Sequence, residues 1–131
     1  MPPGLLDTSV VVDWDDPVVL DALPDEVAVS AITLAELAAG PHLAATADDR
    51  SRRQARLQQT ESAFNPIPFD AAAARSFGQV VAAVAATGRN HRSRVADLLI
   101  AAVAHANGMA LYTRNPTDFV GLESLIRVIA V

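Results

Sequence analysis

Four acidic residues from four separate segments could share one piece of chemistry: Asp7, Glu36, Asp97 and Asp118. Each also has an ordinary structural role. Asp7 can cap the helix after its strand, and Glu36 stands three residues after Thr33, the spacing of a capping box. Asp97 opens a helix whose dipole favours an acid there, and Asp118 closes the turn-forming run Asn115-Pro116-Thr117-Asp118. Brought together, they pose a harder problem. Two carboxylates ~4 Å apart repel by about 4 kcal/mol at the effective dielectric of a surface cleft, and the chain has no lysine to neutralise them. Either some are protonated or a cation holds them. An all-oxygen donor set suits magnesium, with manganese as the alternative, and magnesium binds through few carboxylates while keeping waters and substrate phosphate. Such an ion can activate water and stabilise charge on a phosphoryl group, the chemistry of phosphodiester hydrolysis.

Whether the acids meet depends on the elements that carry them. Gly4-Leu5-Leu6 has the character of a short strand, with Asp7 directly after it. Val10 to Trp14 can start a helix, and Pro17 to Leu23 forms a second short piece. Val27 to Ser30 is another apolar run, followed by a helical stretch with Ile32, Leu34, Leu37 and Ala38 at apolar positions, ending at Gly40-Pro41. Asp48 to Ser62 is polar and helix-prone. Pro66 to Phe69 is extended, because each proline disfavours helix at the residue before it. Asp70 caps an alanine-rich helix that ends near Gly88. Val95 to Ala106 is a third strong helix, closed by Asn107-Gly108, and Ala110 to Tyr112 and Arg127 to Ile129 are the last strands. This alternation predicts an α/β domain with a mainly parallel sheet of four to five strands. Such sheets bind ligands beyond the carboxyl ends of their strands. Asp7, Glu36 and the segment Thr113 to Asp118 all follow strands, and Asp97, in the first turn of its helix, can reach the same edge.

Bulk composition sets limits. At 131 residues the chain is sized for a single domain spanning 1–131. Its hydrophobic content of 51% argues against wholesale disorder. With no cysteine, thiolate metal sites, disulfides and cysteine nucleophiles are excluded. His42, His91 and His105 lie in separate segments without zinc-motif spacing. No stretch has the makeup of a signal peptide or a membrane helix, so a cytoplasmic protein is expected.

The blocks around the acids resemble the signature motifs of PIN-domain nucleases. They are Leu5-Leu6-Asp7-Thr8-Ser9-Val10, Ser30-Ala31-Ile32-Thr33-Leu34-Ala35-Glu36-Leu37, Ala96-Asp97-Leu98-Leu99-Ile100-Ala101-Ala102 and Thr113-Arg114-Asn115-Pro116-Thr117-Asp118-Phe119. They are similar in particular to those of VapC-type toxins of toxin–antitoxin pairs. The likeness runs in order from Leu5 to the C-terminus. It implies a three-layer sandwich, a parallel sheet with helices on both faces. It also implies an acidic magnesium site and an RNA substrate. By the same resemblance, Asp7, Glu36 and Asp97 are the metal ligands, and Thr8 or Ser9 and Thr113 lend hydroxyl support. Many PIN domains carry an aspartate where this chain has Asn115, so one firmly bound ion is expected, a second being weaker or dependent on Asp118. A homodimer and an antitoxin covering the acidic groove are the implied partners.

A net charge of −5 conflicts with a polyanionic substrate. All ten basic residues are arginines, and they cluster. Arg92 and Arg94, a few residues before Asp97, are expected to contact phosphate, as is Arg114 beside the site, since guanidinium groups pair bidentately with phosphate. Arg50, Arg52, Arg53 and Arg56 divide evenly between that role and a solvated helix face. Trp14 and Tyr112 are expected in the core or an interface. Dehalogenase-like phosphatases and receiver domains fit poorly, as both need a lysine. A non-catalytic scaffold and a housekeeping RNA-processing nuclease are the remaining alternatives.

Overall fold

Gly4–Leu6 (β1) is buried throughout, and the rest of the sheet is built around it. A computed structural model, which describes residues 2–131, sets β1 between β2 (Val27–Ala28) and β3 (Leu111–Thr113). Beyond β3 lies β4 (Val128–Ala130), giving the order β2-β1-β3-β4 with every pairing parallel. Leu5 stands opposite Ala28 and Leu111, and Leu6 opposite Tyr112.

Side-chain alternation then decides the layers. Leu5, Leu111 and Val128 belong to one core, shared with Val80 and Val84 of α5 (Ala71–Ala86) and Leu98, Ile100 and Val103 of α6 (Val95–Ala106). Leu6 and Tyr112 belong to a second core. There they meet Val10 and Val11 of α1 (Thr8–Val11), Val19 of α2 (Pro17–Asp21), Leu37 of α3 (Ala31–Ala39) and Leu57 of α4 (Ala47–Ala63). The result is the expected sandwich, helices on both faces of a four-stranded parallel sheet. Trp14 packs edge-on against Phe64, with ring centroids 6.1 Å apart, as a side chain of that second core.

Local chemistry explains the boundaries. Asp70 accepts from the Ala73 N–H at 2.9 Å and starts α5, and Gly108 leaves α6 with φ of 64°, a conformation open to glycine. Pro66 to Phe69 stays extended but contributes only the bridge between Ser30 and Ile67. Pro66 and Pro68 have no N–H to donate, so the ladder cannot grow there. One expectation needs correction. The cap of α3 is Ser30, whose Oγ accepts from the Thr33 N–H at 3.2 Å, so Thr33 and Glu36 are not a capping box. They lie one turn apart on one helix face.

The chain moves from β1 outward to β2, then returns to the other side of β1 for β3. That reversal leaves a crevice between the carboxyl ends of β1 and β3, the usual ligand position in open parallel sheets. Among the described residues, no helix is long and apolar enough to cross a membrane.

Gly4 tests the frame. A Cβ there would overlap the Tyr112 ring, lying 2.8 Å from Cδ1, and would sit 3.1 Å from Pro24 Cγ. Gly4→Ala is expected to destabilise the fold by about 1–3 kcal/mol through overpacking, measured by urea denaturation. An unchanged midpoint would show that the ring moves aside at no cost.

Candidate active site

Asp7 begins where β1 ends. Its N–H donates to the Tyr112 carbonyl at 2.9 Å, which ties it to β3, and it is only 4% exposed. Although it occupies the N-cap position of α1, its side chain makes no capping bond. Instead Oδ2 accepts from Ser9 Oγ at 2.7 Å and from Thr113 Oγ1 at 2.8 Å. Both hydroxyl protons are therefore committed to Asp7. The 3.3 Å between the two hydroxyl oxygens follows from their shared acceptor. Ser9 Oγ in turn accepts from the Arg114 N–H, and Thr113 Oγ1 from the Asn115 N–H, each at 3.0 Å. Asn115 thus enters the site through its backbone.

A second hydroxyl network holds Glu36. Thr8 Oγ1 donates to Glu36 Oε1 at 2.7 Å and lies 2.9 Å from Thr33 Oγ1. As Thr8 has spent its one proton on Glu36, Thr33 is the donor in that second pair. Thr33 is fully buried and was not foreseen as a site residue. Its position one turn before Glu36 was the available signal.

Asp97 lies in the first turn of α6. Its pKa is raised to about 6, first by burial, then by the negative charges of Asp7, Asp118 and Glu36, against a smaller opposing effect of Arg94. Asp97 therefore stands within electrostatic reach of the other three acids. Among the described residues, no three acidic or histidine side chains form a finished ligand set for one ion. The arrangement is open, with one carboxylate rigidly fixed and others around it. That suits an ion that binds through one or two carboxylates and keeps its waters. An all-oxygen donor set with unrelieved negative potential fits magnesium or manganese.

The arginines divide. Arg94 pairs with Asp118 at 3.3 Å and donates to the Thr117 carbonyl, also at 3.3 Å. Arg114 Nη1 is buried 3.3 Å from Asp13 Oδ2 and 3.8 Å from Asp16 Oδ2, within ion-pair range but without hydrogen-bond alignment. Arg92 is exposed, and its backbone N–H is engaged by Asn90 Oδ1 at 2.9 Å. His105, partly buried, has Nδ1 2.8 Å from Ser76 Oγ and joins α5 to α6, away from the acids. A cavity of about 710 Å³, bordered by Gly4, Glu26, His105 and Arg127, opens at the amino ends of the strands and holds none of the four acids.

A parallel sheet whose crevice gathers hydroxyl-buttressed carboxylates defines a class, and the chain belongs to the PIN-domain family, which it matches over residues 4–120. It is 38% identical to ribonuclease VapC5 of Mycobacterium tuberculosis over 127 residues, 95% of this chain and 91% of that protein. Its fold matches a chain in the crystal structure of VapBC-5, a toxin–antitoxin family member from Mycobacterium tuberculosis. The TM-score is 0.86 at 35% identity, over 98% of each chain. The structure of FitAcB from Neisseria gonorrhoeae matches with a TM-score of 0.77 at 29% identity, over 95% of each.

The raised pKa of Asp97 has a thermodynamic consequence. Folding strengthens its hold on a proton, so that contribution is full below pH about 4 and is lost as pH rises to about 6. Without metal, Asp97→Asn is expected to stabilise the protein at pH 7 by about 1–2 kcal/mol, after allowance for screening of a half-buried group. The gain should disappear near pH 4. Denaturant titrations in a chelator at both pH values check this, and an equal effect at each would remove Asp97 from the coupled cluster.

Proposed function

We propose that this chain, as one nuclease domain over residues 1–131, is a magnesium- or manganese-dependent endoribonuclease and the toxin of a toxin–antitoxin pair. Its substrate is single-stranded or structured RNA. The observation that carries this reading is the buried Asp7 carboxylate, fixed by Ser9 and Thr113 beside Asp97, whose proton affinity is raised by burial and then by its acidic neighbours. Similarity to ribonuclease VapC5 over most of the chain supports the same conclusion.

Asp7, Glu36 and Asp97 are the metal-binding carboxylates in this reading, one or two directly and the rest through the ion's retained waters, and Asp118 extends the negative field. A dication bound among them would supply an activated water and charge stabilisation at the scissile phosphate. The chain's own residues do the positioning. Ser9 and Thr113 orient one Asp7 oxygen and leave the other available, while Thr8 sets the direction of Glu36. Arg94 restrains Asp118 and so limits repulsion at the rim. Arg92 remains a substrate contact, and Arg114 acts by securing the Asp13 to Asp16 turn to the end of β3. A cognate antitoxin covers the acidic groove, and Val12, 46% exposed beside it, offers that partner an apolar contact. The active form is a cytoplasmic homodimer.

Cleavage of a labelled RNA pool is expected with magnesium or manganese and to cease in a chelator. Asp7→Asn and Asp97→Asn should each lower the rate by roughly 100-fold or more, as expected on losing transition-state charge stabilisation. Cleavage indifferent to both substitutions would end the carboxylate assignment. No cleavage by the native chain in any metal, with RNA still bound, would favour the scaffold reading.

The hydroxyls around Asp7 act one step removed. Thr113→Val is expected to lower metal affinity or activity by roughly 10–100-fold, the usual cost of losing a partner that orients a ligand. Magnesium titration of the cleavage rate measures it. A shift in the magnesium midpoint supports orientation of Asp7, whereas an unchanged midpoint and rate would leave Thr113 with no part in the site.

A further inference from the structure

The acidic centre opens into a cleft of about 450 Å³ that it shares with α4. Thr8 and Glu36 belong to both. Facing them across the cleft are Arg52, Arg53 and Arg56, whose spacing of i, i+1 and i+4 places them along one side of a helix. Two of the guanidinium groups are anchored to backbone. Arg53 Nη1 donates to the Gly40 carbonyl at 3.0 Å, and Arg56 Nη1 to the Val11 carbonyl at 3.2 Å. Five N–H donors on each leave capacity for a further acceptor. Asp49 pairs with both Arg52 and Arg53, at 3.5 and 3.0 Å, and the 84% exposed Asp15 with Arg56 at 3.4 Å. Three cations meet two carboxylates, so the wall keeps a positive balance.

A polyanion cannot enter a field of four acids without cationic support on either side of the reacting group. Arg94 is matched by Asp118 and Arg114 by both Asp13 and Asp16, so neither has the surplus charge of the α4 wall. The α4 wall supplies what they do not: guanidinium groups fixed in place, next to Glu36, on a rigid helix. We propose that Arg52, Arg53 and Arg56 form the substrate track, binding the phosphates that flank the scissile bond of a single-stranded RNA. This rests on the ribonuclease reading and names the surface that reading requires. Arginine suits the role because its planar fork grips phosphate oxygens in two-point contact.

The test uses a fluorescein-labelled, random-sequence single-stranded RNA. Its binding to the uncleaving Asp97→Asn chain is followed by anisotropy across a salt series. Adding Arg52→Gln or Arg56→Gln should weaken binding by roughly tenfold, the worth of one charge-assisted contact. Each should flatten the dependence of log affinity on log salt by about 0.7, one phosphate contact on a single strand. Asp49→Asn should do the opposite, tightening binding and steepening the slope, which mere loss of helix stability would not do. In the otherwise native chain, Arg52→Gln should raise KM more than it lowers kcat. Arg52 is 73% exposed, so its replacement leaves folding intact even if loss of the Arg56 anchor does not.

Unchanged affinity and slope in the Arg52 and Arg56 variants, with cleavage by the native chain intact, would overturn the track and leave the nuclease standing. Failure of the native chain both to bind and to cleave RNA would overturn both. Weaker binding of a protein partner with RNA affinity unchanged would assign the wall to that partner and overturn the proposal.

Discussion

A carboxylate removed from water needs replacement donors, and Asp7 finds one at the start of α1 and one at the end of β3. The Ser9 bond is local, two residues beyond Asp7, but the Thr113 bond forms only when β1 and β3 are neighbours in the correct register. An unpaired charge at 4% exposure would cost several kcal/mol. The pairing of β1 with β3, the start of α1 and the path of Arg114 and Asn115 are therefore all tied to the solvation of one side chain. This is also why the site is rigid where metal chemistry needs rigidity. Asp7 has one oxygen immobilised by protons that cannot be given elsewhere.

The rest of the cluster is less restrained. Glu36 is exposed and hangs from a single threonine, and Asp118 is balanced by Arg94. Asp97 carries both its own burial and the repulsion of its neighbours as an elevated proton affinity. The fold tolerates this because the acids gather at the sheet's edge, where water and ions can enter. The hydrophobic layers lie behind them, with Leu98 and Ile100 fully buried beyond Asp97. Stability resides in the sandwich, and electrostatic tension is confined to its rim.

What the sequence disclosed depended on how local the cause was. The Asp70 cap, the Gly108 exit and the extended Pro66 to Phe69 segment follow from bonding within a few residues, and the structure agrees with each. The alternation of Leu5 and Leu6 between two cores follows from strand geometry once the strand is recognised. Asp7 and Asp97 could be placed at one edge by the parallel-sheet rule. The hydroxyl pairing behind Glu36 could not, because the spacing of Thr33 and Glu36 suggests a capping box and only the observed Ser30 bond rules that out. Nor could the partners of Arg114. Asp13 and Asp16 lie about a hundred positions earlier, and only the closure of β1 on β3 brings them near. The α4 arginines were equally ambiguous, since the docking of one helix across another is a tertiary fact with no local signature.

Ser30 has an effect that reaches beyond stability. By fixing where α3 begins, it sets the angular phase of every residue that follows, with each step turning about 100° around the axis. Thr33 and Glu36 meet Thr8 only at that phase. One residue inserted between Ser30 and Glu36 would swing the acid to the flank of the helix, while Asp7 kept its hydroxyl partners undisturbed. The two halves of the centre are thus indexed separately, one by strand register and one by helical rotation. Lineages sharing this fold are free to retune the second without dismantling the first.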